Sequence, residues 1–284
     1  MQFKEVGKQL KEVLKNNLDT ETWKWISDKI SLIVENKSTK DLYLTYSLVP
    51  SKTSLVALDF SLVKDSLKGY FEQHHVNTIE LVRIYLLIKV LEADNNFFEE
   101  KVGNLIQVAD KTELETFLKY LILLPKPEVF KNVAVDALRT NIGSVFNAIA
   151  LNNPYPALYF SEKQWNQMYL KTIFIESDLE GIMNVDERAN ADLARIISDY
   201  AHERWAAGRK IDPLFWRPVG KYLNGNLLKD MERLLNSSDN RENAAAVLSC
   251  SISDIPEARE LIKGHPELLD KVENKKINWD TLNA

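Results

Sequence analysis

Residues 227–262 read LLKDMERLLNSSDNRENAAAVLSCSISDIPEARELI, and their punctuation predicts three short helices in succession. Apolar residues recur at three- and four-residue spacing until Asn236-Ser237-Ser238 ends the first helix. Asp239 or Asn240 then offers a side-chain oxygen to the free N–H groups of the next. That second helix is alanine-rich, so it can pack closely. Pro256, after Asp254-Ile255, opens a third, because its missing N–H is no loss in a first turn and its φ is already helical.

The same grammar runs through the chain. Leu10, Val13 and Leu14, then Trp23, Ile26, Ile30, Ile33 and Val34, lie on helical stripes, and Leu81, Ile84, Tyr85, Ile88 and Leu91 repeat the pattern. Pro125-Lys126-Pro127 opens a helix from about Glu128 to Leu138. A break at Arg139-Thr140-Asn141 restarts the phase, and Ile142, Val145, Phe146 and Ile149 form the next stripe. Strand-like stretches are short: Leu42–Pro50 (LYLTYSLVP), and an alternation in Leu55–Val63 that a helix fits equally well. The expected fold is all-α, an irregular array of antiparallel helix pairs resembling HEAT or armadillo units without a strict period; a plain multi-helix globule is the alternative. Three regions are expected: a lysine-rich helical region over 1–75, a helical repeat-like domain over 76–273, and a loosely held tail over 274–284. Lys52–Ser54 and Glu72–His75 read as loops, and no clean boundary stands out between residues 50 and 80.

Bulk composition narrows the function. The 284 residues are 45% apolar, enough for a large core, and the net charge is −5. No basic tract marks a nucleic-acid partner, and the acidic balance opposes an anionic membrane surface. A single cysteine, Cys250, excludes an intrachain disulfide and a Cys₂–His₂ zinc site, and its apolar context reads as a buried, inert thiol. The N-terminal MQFKEVGKQLKEVLKNN is charged and amphipathic, not a secretory signal. The most apolar window, Leu81–Leu91, is interrupted by Arg83 and Lys89 and is too short to span a bilayer. A soluble, cytoplasmic protein is expected.

Residues 139–218 differ from their flanks. They hold 11 of the 27 aromatics, and six arginines against three lysines, whereas the rest of the chain has four arginines against 23 lysines. Arginine's planar fork suits fixed bidentate or stacked geometry, so ordered polar contacts are expected here, either ion pairs within the fold or contacts to a ligand. In NNPYPALYFSEKQWNQM, Asn152–Met168, the two prolines force an extended turn and Ser161 with Gln164 makes a capping box. Trp165, Met168, Tyr169 and Ile173 form the apolar stripe of the helix that follows; Gln164, Asn166, Gln167 and Lys171 lie off it, reading either a polar ligand or solvent.

In YAHERWAAGR, Tyr200–Arg209, the helix begins near Asn190 or Ala191 and buries Leu193, Ile196, Ile197, Tyr200 and Ala201. His202 and Arg195 fall on the opposite side, flanked by Ser198, Asp199 and Trp205. Arg204 falls inside the apolar stripe and needs a buried carboxylate or amide. Gly208 ends the helix and Pro213 follows. HERWA lacks the second histidine of a zincin, and the chain has no G-x-S-x-G, no phosphate-cradling G-x-x-x-x-G-K-[ST] and no G-x-G-x-x-G. Neither a cofactor nor a metal site is expected.

ALRTNIGSVFNAIALNNPYPALYFSEKQWNQMYLKTIF, followed by DERANADLARIISDYAHERWAAGRKIDPLFWR, resembles the EboA family of bacterial metabolite traffic proteins. The resemblance is strong over about Pro125–Arg217, extends loosely through the C-terminal helices, and draws little from the first ~75 residues. It implies a cytosolic component of a gene cluster that moves secondary-metabolite precursors, with other cluster proteins, including a membrane prenyltransferase-like one, as partners. It transfers no catalytic residues. Two functions follow. One is a non-enzymatic helical scaffold or carrier holding a metabolite or a partner protein through Arg139, Asn153, Tyr155, Trp165, Asn166, Gln167, Lys171, Arg188, His202, Glu203, Arg204, Trp205 and Arg209. The other is an enzyme with His202 as general acid/base, aided by Asp199 or Glu203.

Overall fold

The computed structural model describes residues 3–282. The chain forms two compact units, Met1–Phe160 and Ser161–Ala284. All regular structure among the described residues is helical, as the periodicity requires, and none of the helices is long and apolar enough to cross a membrane.

The first unit runs α1 (Val6–Asn17), α2 (Thr20–Asn36), α3 (Thr39–Lys52), α4 (Asp65–Gln73), α5 (Thr78–Ala93), α6 (Asn95–Gly103), α7 (Leu105–Val108), α8 (Lys111–Lys119), α9 (Lys131–Ala137), α10 (Gly143–Ala150) and α11 (Tyr155–Tyr159). Leu42–Pro50 is helical, within α3. Leu55–Val63 is neither strand nor helix: an irregular loop is tied down where Thr78 Oγ1 accepts from the Val56 amide at 3.1 Å. The expected helix from Glu128 to Leu138 is split into a 3₁₀ turn, Pro127–Phe130, and α9. Of the second expected loop, only His74-His75 lies outside α4, with His75 at φ 48°.

At the centre lies α5, against α1, α2, α3, α6 and α8. Twelve of its residues are buried, which explains why the most apolar window of the chain has no single polar face. Its two buried charges are matched by α8. Arg83, only 3% exposed, places Nη2 3.5 Å from Glu113 Oε1, while its Nε donates to the Tyr46 carbonyl at 3.3 Å. Glu80 Oε1 accepts from Lys119 Nζ at 2.7 Å. Both glutamates are also N3 residues of capping boxes: Glu80 Oε2 accepts the Asn77 amide and Glu113 Oε2 the Asp110 amide. Each carboxylate therefore closes the start of its own helix with one oxygen and holds a cation of the other helix with the second.

His74 sits edge-on to the rings of Tyr70 and Tyr120, at 4.5 and 5.9 Å, with Nε2 3.0 Å from the Asn152 carbonyl. Burial, reinforced by the Lys119 cation, pushes its pKa down from 6.5 to about 4.

The second unit runs α12 (Glu162–Phe174), α13 (Val185–Arg188), α14 (Ala191–Ala206), a 3₁₀ segment (Pro213–Tyr222), α15 (Gly225–Leu235), α16 (Asn240–Ser251), α17 (Pro256–Ile262) and α18 (Pro266–Glu273). Asp239 caps α16 and Pro256 opens α17, as the punctuation of the chain dictates. Cys250 is buried and burial raises its pKa to about 12. Beyond α18, Asp280 accepts from Arg217 at 3.0 Å and Leu282 is buried.

Glu113→Ala strips Arg83 of its charge partner and α8 of its cap, and should lower stability by about 3–5 kcal/mol in denaturant melts. The lowered His74 pKa means that the unfolded chain binds the proton first as pH falls. Stability should therefore drop between about pH 6.5 and pH 4, and His74→Gln should flatten that part of a pH–stability curve.

Candidate functional site

Helix α14 carries most of the residues singled out in the sequence, and its two ends do different work. At its start Asn190 is the N-cap, its side chain accepting from the Leu193 amide at 2.8 Å. The same side chain exchanges two hydrogen bonds with Asn166 of α12, at 2.9 and 3.1 Å. Asn166 is thus buried at 2% exposure and not turned away from the stripe as expected, because an amide paired on both edges can enter a core without loss of hydrogen bonding. Beside it, buried Trp165 lies under the Arg188 guanidinium, 5.3 Å from the ring centroid. Burial lowers the pKa of Arg188 and, to one side, that of Lys171. Trp165, Asn166 and Arg188 knit α12, α13 and α14 together; Gln167 is exposed.

Near the other end, Ser198 points inward, against expectation, and is buried, because its hydroxyl has an acceptor there: Oγ donates to Asp230 Oδ2 at 2.5 Å. His202 Nε2 meets Asp230 Oδ1, also at 2.5 Å. The partner of His202 is thus Asp230 of α15, 2% exposed, and not Asp199 or Glu203. Asp199 is engaged by Arg195 at 2.7 Å, and Glu203 is exposed. The aspartate stands between the serine and the histidine. In a nucleophilic triad the histidine stands between, so Ser198 has no base to take its proton. With Asp230 accepting at Nε2, Nδ1 makes no hydrogen bond among the described residues, and the His202 side chain is 59% exposed.

Helix α14 then ends in a Schellman motif. Gly208, at φ 68°, takes a conformation that side chains disfavour, and the amides of Gly208 and Arg209 bond to the carbonyls of Trp205 and Arg204 at 3.0 and 2.9 Å. Arg204 is half-buried and, among the described residues, pairs with no buried carboxylate or side-chain amide. Its guanidinium donates to the Lys210 carbonyl, at 2.8 Å from Nη2, because the helix end curls that carbonyl back within reach.

Trp205 is the centre of what remains. One side stacks on Trp216, centroids 5.7 Å apart and planes 20° apart, and the Arg233 guanidinium lies 4.1 Å from its centroid. Trp216 is fully buried in the 3₁₀ segment, which approaches α16 at Gly220. From Trp205 a cleft of about 440 Å³ opens, walled by Arg209, Lys210, Arg233, Ser238, Asp239 and Glu242. Arg241 engages Asp239 at 3.1 Å, while Arg209, Lys210 and Arg233 make no ion pair among the described residues. Asn243 shares its amide among the carbonyls of Leu234, Leu235 and Ser237, at 2.8, 3.1 and 3.1 Å, and so fixes the end of α15.

Of the expected binding set, Trp205 and Arg209 share this cleft. Arg139, Asn153 and Tyr155 belong to the first unit. Arg139 is exposed, 3.5 Å from Asp136. Asn153 is buried, donating to the carbonyls of Leu118 and Ala148, and accepts the Tyr155 amide. The buried Tyr155 hydroxyl donates to the Pro127 carbonyl at 2.7 Å, and burial raises its pKa. These two tie a turn in place. Asp230, Arg233 and Trp216 were missed. Asp230 had a signal, for it falls inside the stripe of Leu227, Met231 and Leu234, where a lone charge demands a partner. Arg233 had none, since only the fold brings it over Trp205.

The fold and the cleft define an all-helical protein with a ligand-sized, cation-lined recess at the end of α14. The family described as metabolite traffic protein EboA matches residues 6–220, and the chain belongs to that family. The match reaches back into α1, where little resemblance was expected, and ends before α15. The α14 side of the cleft lies within it and the α15 side beyond. No curated protein and no solved structure matches the chain.

A methyl group at position 220 would sit 2.6 Å from the Ser249 carbonyl and closer still to Ile252. Gly220→Ala should therefore cost about 1–3 kcal/mol of stability by overpacking and shift Trp216, seen as a change in tryptophan emission.

Proposed function

We propose that the protein is a non-enzymatic carrier or scaffold in metabolite traffic, with the Trp205 cleft as its holding site. Membership of the EboA family supports the traffic role. The observation that carries the holding site is a ligand-sized recess walled by three cations that make no ion pair among the described residues, one of them, Arg233, over Trp205 of an aromatic stack. Chain neighbours pack on one another along α14–α15–α16–α17, which supports reading the architecture as HEAT-like stacking. On this reading the protein works in the cytoplasm beside other proteins of its traffic cluster, including a membrane prenyltransferase-like one.

A second reading, an enzyme using His202, draws on the Asp230–His202 pair with Nδ1 left open. Against it, His202 is not among the residues that wall the cleft.

Protein purified from cells that carry the rest of the cluster should bring down a small molecule detectable by mass spectrometry. Trp205→Ala should reduce its yield by about tenfold without lowering the melting temperature by more than a few degrees, and His202→Gln should leave it intact. Full retention by Trp205→Ala would remove the cleft from the proposal. Conversion of that molecule by the wild type but not by His202→Gln would establish the enzyme.

A further inference from the structure

We infer that the Trp205 cleft selects a phosphorylated ligand, a phosphate monoester or a diphosphate, gripped by Arg233, Arg209 and Lys210. This rests on the cleft being the holding site.

Charge is the first argument. Three cations wall the recess, Arg209, Lys210 and Arg233, against two carboxylates, Asp239 and Glu242. Asp239 is engaged by Arg241, with two contacts from that guanidinium. One carboxylate is then left against three cations. A monocarboxylate ligand would leave half of that surplus unbalanced, whereas a group carrying two negative charges matches it.

Helix ends would ordinarily oppose this. The last carbonyls of α14 and α15 are the negative poles of their helices, and both ends border the recess. Here several of those carbonyls already have donors. Gly208 and Arg209 amides take the Trp205 and Arg204 carbonyls, and Asn243 takes those of Leu234 and Leu235. The carbonyls so engaged compete less for the three cations.

Preorganisation is the second argument. An exposed arginine normally samples many rotamers and loses that freedom on binding. Arg233 is exposed, yet its guanidinium rests on Trp205, which in turn rests on buried Trp216. That contact narrows the rotamers the fork samples before any ligand arrives, and a planar fork suits two phosphate oxygens at once. Arg204 holds the Lys210 carbonyl, which fixes the backbone from which the Lys210 side chain departs. Ser238 adds a hydroxyl to the same wall.

The test uses the full-length protein, with pyrophosphate, inorganic phosphate, citrate and benzoate as probes, read by calorimetry and by tryptophan emission. Pyrophosphate should bind at least about tenfold more tightly than benzoate, and more tightly than citrate, which matches its charge without its geometry. Arg233→Ala should weaken pyrophosphate about tenfold or more, and Lys210→Ala about threefold or more. Arg233→Lys, which keeps the charge and loses the fork, should fall between wild type and Arg233→Ala, while Arg139→Ala in the first unit should change nothing. Three results would overturn the inference: citrate or benzoate binding as tightly as pyrophosphate, unchanged affinity in both Arg233→Ala and Lys210→Ala, or no phosphate compound binding at all. If a co-purifying metabolite is nevertheless lost from Trp205→Ala, the cleft stands as the holding site and only the phosphate class falls.

Discussion

Two glutamates hold the first unit together. Glu80 and Glu113 each face a conflict: a carboxylate near a helix start belongs to its own free amides, while a buried cation nearby demands a counter-charge. Each resolves it by dividing its oxygens, one to the Asn77 or Asp110 amide and one to Lys119 or Arg83. The starts of α5 and α8 are thereby made interdependent, since neither box can close fully without positioning a carboxylate for the other helix. Tyr46 joins them, donating to the Glu113 carbonyl while its own carbonyl takes Arg83. A charge buried in so apolar a helix is costly unless it is satisfied in this way.

The second unit solves its polar problem by pairing. Asn166 and Asn190 satisfy each other, and Asp230 satisfies Ser198 and His202. Once these pairs are closed, the polar groups of α14 that remain open are those near its C-terminal end. The stack from Trp216 through Trp205 to Arg233 carries the order of the buried core out to the surface.

Much of this was legible in the residues. Helical class, the Ser161–Gln164 box, the Asp239 cap, the start of α17 at Pro256 and the stop at Gly208 follow from local rules, and all are found. Cation choice marked residues 139–218 as unusual. What escaped were long-range partnerships. His202 was matched to Asp199 because helical spacing brings them close, yet Asp230 lies 28 residues away. Arg83 read as an interruption to a membrane span because its counter-charge, Glu113, sits on another helix. Asn166 read as facing a ligand or solvent because its partner, Asn190, lies 24 residues away. Periodicity reports which face is apolar; it is silent on which polar residue of another helix will arrive to complete a buried one.

The chain's single thiol has a practical side. Cys250 is enclosed in α16, and burial raises its pKa to about 12, so at neutral pH it holds its proton and offers no reactive thiolate. Maleimides and disulfide reagents should therefore label the native protein slowly. A cysteine introduced at the rim of the recess, at Ser238 for example, would be the one addressable handle, and a dye or spin label there would report on the cleft with little background from the native fold.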